Sequence, residues 1–133
     1  MWLYVIEVMK DRQKANKYYL IAMKHDRHSE DGGQEHLYKN HVRFWCKKSL
    51  KRDNAYPQAW ALLADVYSWI ALVYAHPSRF SQKIRIKRLE RGIFCIKQAI
   101  KHDPNNYEHE ATLKKYYHIR NEEYKSEWQI RII

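Results

Sequence analysis

The chain aligns with itself at an offset of fifty residues. Lys47-Lys-Ser-Leu-Lys-Arg-Asp-Asn through Tyr67 lies over Lys97-Gln-Ala-Ile-Lys-His-Asp-Pro through Tyr117, and Lys51/Lys101, Asp53/Asp103, Ala61/Ala111, Leu63/Leu113 and Tyr67/Tyr117 coincide. A recurring unit cannot bury its apolar face alone, so it stacks on its neighbour and leaves an extended surface open to a partner. The self-similarity therefore points to a stacked array, and to binding ahead of catalysis.

At 133 residues, the chain is the size of one domain with a real core. It has only three Gly and three Pro, which favours helices over turns and strands, and its five Trp, eleven Tyr and three Phe supply a core. A first helix is predicted over about 13–27, with Tyr18, Tyr19, Ile21 and Ala22 as packing residues, ending before the loop signal Ser29-Glu-Asp-Gly-Gly. A second, about 34–52, carries Leu37, Val42, Trp45 and Leu50 and is broken by Asp53-Asn-Ala-Tyr-Pro. Pro57 suits the first turn of a third helix that runs to about Tyr74, because its missing donor would be unpaired there anyway. After the loop His76-Pro-Ser-Arg-Phe-Ser come a fourth helix over about 82–102, a stop at Asp103-Pro-Asn-Asn, a fifth over about 107–119, and a tail from Asn121 that could add a sixth.

The fourth helix is the most informative. At about 100° per residue, Ile86, Leu89, Ile93, Ile96 and Ile100 form one stripe, with the small residues Gly92, Cys95 and Ala99 beside it. Lys83, Lys87, Arg91, Lys97 and Lys101 share the opposite side. A helix with a small strip for close approach, an aliphatic stripe for a second neighbour and a basic exterior is suited to the inside of an array.

These residues resemble a known family. Trp60-x-x-Leu63-Ala64-x-x-Tyr67, then Gly92-x-x-x-Ile96-x-x-Ala99, then Asp103-Pro104 are similar to the two helices and terminator of a tetratricopeptide repeat. The resemblance covers about residues 15–120 and implies an all-α, right-handed stack of antiparallel helical hairpins, an α-solenoid of about five to six helices. Its units would be about 13–52 and 53–104, with 105–133 as a terminal cap, in a single domain over 1–133. It assigns repeat-packing roles to Tyr18, Ala22, Trp60, Leu63, Ala64, Tyr67, Gly92, Ile96, Ala99 and Pro104. The period of fifty exceeds the family's usual ~34. It resembles the irregular repeats of bacterial winged-helix transcriptional activators and class III adenylate cyclases, where a segment similar to Ala15-Asn-Lys-Tyr-Tyr-Leu also precedes the first full unit. Towards the end the pattern decays: Glu110 takes the place of Trp60 and Lys114 that of Ala64, which suits a polar capping helix.

The implied function is a noncatalytic protein-protein interaction module, a regulatory or sensory part of a bacterial signalling or transcription protein, with a protein or peptide in the concave groove of the first helices. The alternative is a nucleic-acid-binding repeat protein. The net charge of +10 is concentrated in the two second helices: residues 39–52 hold six Lys/Arg and no acid, and residues 79–102 hold eight and one. On the family's geometry that basic face is convex, away from a near-neutral groove. Lys83, Lys87, Arg91, Lys97 and Lys101 are the candidate anion contacts, suited to weak, nonspecific phosphate binding.

Other functions find little in the residues. Cys46 and Cys95 sit among apolar neighbours and read as buried thiols of a reducing, cytoplasmic compartment. Met1-Trp-Leu-Tyr-Val-Ile-Glu is a poor signal peptide, and the apolar run Ala59–Ala75 is shorter than the ~20 residues of a membrane span. There is no phosphate-binding glycine loop, His-Glu-x-x-His or Cys-x-x-Cys, so no catalytic residue and no cofactor are expected. His25-Asp-Arg-His28 with Glu30 and Asp31 could in principle hold a metal, but such pairs arise easily among eight histidines and no metal is expected. Asp65, in an apolar helix, has no identifiable acid-base partner. Self-association through incomplete array ends is the remaining expectation.

Overall fold

The computed structural model describes residues 2–29, 35–73 and 79–132, with side chains described over 2–28, 37–71 and 82–125. These residues form five helices and no strand: α1 (Trp2–Ser29), α2 (Glu35–Arg52), α3 (Pro57–Val73), α4 (Arg79–His102) and α5 (Tyr107–Ile132). Each helix packs chiefly on its neighbours in sequence, α1 along α2, α3 along α4, with α2 against α3 and α5 against α4. The fold is thus two helical hairpins followed by a single long helix.

Three boundaries differ from the sequence reading. α1 begins at Trp2 rather than near residue 13. Its first turns carry no helix-breaking residue, and they project past most of the packing, with Trp2, Leu3 and Tyr4 about three-quarters exposed (80%, 79% and 72%). α4 starts at Arg79, inside the stretch expected to be loop. α5 continues through Asn121 to Ile132, so no separate sixth helix forms. Contacts with the start of α4 hold that continuation in place: Arg85 donates to both carboxylate oxygens of Glu123 at 3.0 and 3.2 Å, and buried Gln82 donates to the Glu123 carbonyl at 2.7 Å. Of the expected loops Ser29-Glu-Asp-Gly-Gly and His76-Pro-Ser-Arg-Phe-Ser, residues 30–33 and 76–78 lie outside the described residues.

α3 lies at the centre. Ala59, Leu62, Leu63, Ala64, Val66, Tyr67, Ser68 and Ala71 are buried around most of its circumference, as expected of a helix that is apolar nearly all round. The α2–α3 and α4–α5 turns are built alike, fifty residues apart. Asp53 N–H donates to the Ser49 carbonyl and Tyr56 N–H to that of Asp53; Asp103 N–H donates to the Ala99 carbonyl and Asn106 N–H to that of Asp103. Burial runs in the same register on the preceding helices, where Val42 and Gly92, Cys46 and Ile96, and Ser49 and Ala99 are all buried.

Small residues set the helix crossings. Buried Ser49 donates its hydroxyl to the Ala15 carbonyl at 2.7 Å, joining α2 to α1 without a large side chain between them. Gly92 lies where α3, α4 and α5 meet. A Cβ placed there would stand 3.3 Å from the Ala64 carbonyl oxygen and 3.9 Å from the ring of Tyr116, a side chain that is itself buried.

Candidate functional site: an apolar groove rimmed by cations

The residues assigned to repeat packing divide by burial. Ala22, Leu63, Ala64, Tyr67, Gly92, Ile96 and Ala99 are buried. Pro104 is exposed in the turn that follows α4. Tyr18 is half-buried between α1 and α2, its ring 5.7 Å from that of Trp45, with the Lys48 ammonium 4.8 Å from Tyr18 and 5.0 Å from Trp45. Trp60, expected to be a buried anchor, is also only half-buried. Its indole N–H donates to the Asn54 carbonyl at 2.7 Å, and its ring meets Phe94 of α4 edge to face at 6.0 Å.

That half-exposure has a geometric cause. A groove of about 660 Å³ opens between α2 and α4, with Trp60, Leu63 and Tyr67 of α3 on its floor. Leu50 forms part of the α2 wall, and Phe94 and Cys95 form part of the α4 wall. Phe94 is 56% exposed despite its size. The volume falls within the range of ~300–1,000 Å³ typical of sites that enclose a ligand.

Four cations rim this apolar floor: Lys47 and Lys51 from α2, and Lys87 and Arg91 from α4. Among the described residues no carboxylate pairs with any of them. The Arg91 guanidinium lies 5.9 Å from the centre of the Tyr67 ring, a cation-π arrangement that holds its charge at the groove edge. Glu90, the acid on the rim, already accepts from Arg120 at 3.2 Å and from the Tyr124 hydroxyl at 3.4 Å. A second concavity beside the groove shares Lys47 and Lys51 and adds Phe44, Lys48 and Arg52.

All five candidate anion contacts, Lys83, Lys87, Arg91, Lys97 and Lys101, are exposed. They do not form one functional set. Lys87 and Arg91 border the groove, whereas Lys83 and Lys101 do not, and Lys97 rests 5.6 Å from the Tyr117 ring. The sequence reading kept the concave groove of the first helices apart from the basic face, but an apolar concavity lies on the basic face itself. The clue that could have revealed it is Phe94, a large apolar residue set within the basic run of helix four and outside its aliphatic stripe.

Asp65, on the other side of α3, keeps an exposed surface, yet its carboxyl is crowded: burial pushes it up, Lys39 pulls it down, Asp26 pushes it up and Lys115 pulls it down, with a net rise. Because the residue stays open to solvent, screening leaves this shift little weight in stability. His25 stacks edge to face on His41 at 4.9 Å, and the Nδ1 atoms of both rings are buried without a hydrogen-bond partner among the described residues. Burial lowers the His25 pKa, with further repulsion from His41, His28 and Lys24. Asp26, placed with His25 and His28 as a metal candidate, instead accepts a 3.0 Å ion pair from Lys39; Glu30 and Asp31 lie outside the described residues. Among the described residues no group of three His, Cys, Asp or Glu is positioned to hold a metal ion. Cys46 and Cys95 are free and buried, and burial pushes both thiols up, that of Cys95 to about 12. Neither is a nucleophile at neutral pH. No described helix is long and apolar enough to cross a membrane.

Comparison with protein-family models, with curated proteins and with solved structures yields no match. The likeness to tetratricopeptide repeats rests on the residues of this chain alone.

Proposed function

We propose that this chain is a noncatalytic protein-protein interaction module, built as a right-handed, tetratricopeptide-like stack of about two and a half hairpins. The observation that carries the reading is the groove, because its walls come from successive hairpins: α2 from the first, α3 and α4 from the second. A binding surface shared between stacked units is what such arrays offer a partner. The recurring turn and the in-register burial fifty residues apart support the stack, and the polar Glu110 and Lys114, both exposed on α5, support a terminal cap. A cytoplasmic, reducing setting belongs to the proposal and is supported by the two free, buried thiols. The resemblance adds the role, a regulatory part of a bacterial signalling or transcription protein.

The test is photo-crosslinking in cells. A photoreactive phenylalanine at position 94 should give discrete protein adducts, and the same group at Tyr107, which is 79% exposed and outside the groove lining, should not. Adducts to nucleic acid at position 94 with none to protein would replace the proposal with the alternative. That second reading is favoured by one observation, the exposure of Lys83, Lys87, Arg91, Lys97 and Lys101 along α4.

A further inference from the structure

We infer that the groove between α2, α3 and α4 takes an acidic peptide segment carrying a large apolar anchor residue, with the anchor over Trp60 and Phe94 and the acids against Lys47, Lys51, Lys87 and Arg91. This rests on the protein-interaction reading and names the chemistry of the partner. Two features select the anchor. The floor combines the nearly buried Leu63 and Tyr67 with the partly exposed Trp60, and Phe94 stands 56% exposed at the wall where an incoming side chain would cover it. A half-buried aromatic beside an exposed one, enclosed on three sides, is the setting in which a few anchors carry most of the binding energy of an interface.

Charge selects the flanks. Cations stand on both walls, none of the four has a carboxylate partner among the described residues, and the single acid of the lining is already neutralised by Arg120. A basic or neutral segment would bring no compensation to these charges, and a basic one would be repelled from both sides. A single-stranded nucleic acid would also meet the cations. Successive stacked bases, however, need parallel ring platforms, and here Trp60 and Phe94 stand nearly perpendicular, edge to face. The cavity fits an inserted side chain better than a row of stacked bases.

The test is a selection from a displayed library of random fifteen-residue peptides against the full chain, with the Phe94→Glu variant as counter-selection. The expected result is enrichment of peptides rich in Asp and Glu around Phe, Leu, Ile or Trp. Fluorescence anisotropy of a selected peptide should show Phe94→Ala weakening binding about thirtyfold, the effect of losing one hot-spot contact. Lys87→Glu with Arg91→Glu should weaken it about tenfold, and raising the salt concentration should weaken the wild-type complex too. Both substitutions sit on exposed residues, so circular dichroism should be unchanged. Groove-dependent peptides without acidic bias would overturn the inference while leaving the protein-interaction reading standing. No enrichment over the Phe94→Glu control, with single-stranded oligonucleotide or anionic vesicles bound instead, would overturn both.

Discussion

Gly92 is where the packing of this chain is most sharply open to test. In a helix interior, Gly→Ala normally stabilises by about 1 kcal/mol, because alanine loses less backbone entropy on folding. Here the added Cβ would stand 3.3 Å from the Ala64 carbonyl oxygen, inside ordinary contact distance, and the obstructing atom is backbone in the most buried helix of the fold. Ala64 cannot retreat without moving α3, and Tyr116 at 3.9 Å blocks a shift towards α5. Overpacking of a tight core costs about 1–3 kcal/mol. With a cost near 2 and a propensity gain near 1, Gly92→Ala should destabilise by about 1 kcal/mol, a fall of about 3–5 °C in Tm for a domain of this size. Gly92→Val, which adds two further carbons in the same space, should cost about 3 kcal/mol or more. Urea titrations followed by circular dichroism give both values from the shift in midpoint at constant slope. If Gly92→Ala instead raised stability by about 1 kcal/mol, helix propensity alone would govern the site, and the close α3–α4 approach would be refuted.

Trp60→Ala should cost about 2 kcal/mol rather than the ~3–5 kcal/mol of a fully buried aromatic, since the side chain is already partly exposed at the groove; a loss above 4 kcal/mol in denaturant titration would show that Trp60 is an anchor of the core alone. The lowered His25 pKa means that the folded state binds fewer protons than the unfolded chain below pH 6.5, so this stability is complete above 6.5 and is lost as pH falls through it towards the folded value. Melting curves from pH 7.5 to 5 should therefore show a decline that His25→Phe flattens, and an unchanged slope in the variant would refute the assignment. Reversing Lys83, Lys97 and Lys101 to Glu should abolish salt-sensitive duplex binding but leave a groove-bound peptide in place, because none of the three lines the groove; equal loss of both ligands would mean that one surface serves them. We propose that self-association, where the chain shows it, runs through the first turns of α1: Leu3→Lys with Val5→Lys should abolish it in sedimentation velocity without lowering Tm, since both side chains are exposed there (79% and 48%).

The helices were legible wherever periodicity and punctuation agreed. Asp53-Asn-Ala-Tyr-Pro and Asp103-Pro-Asn-Asn mark real turns, and the three-part division of α4 into an aliphatic stripe, a small strip and a basic side matches the burial of Leu89, Ile93 and Ile96, of Gly92, Cys95 and Ala99, and the exposure of its lysines. What stayed hidden was held by contacts that leave no pattern in the local sequence. Residues 121–125 of α5 show little amphipathic order, and their helix is sustained by Gln82 and Arg85, some forty positions away in the chain. The first turns of α1 bury almost nothing, so no periodic signal announces them.

The groove was hidden for a different reason. A wheel assigns each side chain to an inside or an outside, and Lys87, Arg91 and Phe94 all fall correctly on the outside of α4. Whether an outside face is flat or forms the wall of a cavity depends on the neighbouring helix, and α2 stands far enough from α4 to leave a groove between them, bordered by the partly exposed Trp60 of α3. The lysines of that face then take on a second meaning. On a flat helix they would be a solvated face, while beside a concave apolar floor they select the charge of whatever fills it. Phe94 is the residue on which the two descriptions disagree, since a solubilising face has no use for a large exposed ring and a binding wall does. Its substitution is accordingly the least ambiguous way to tell them apart.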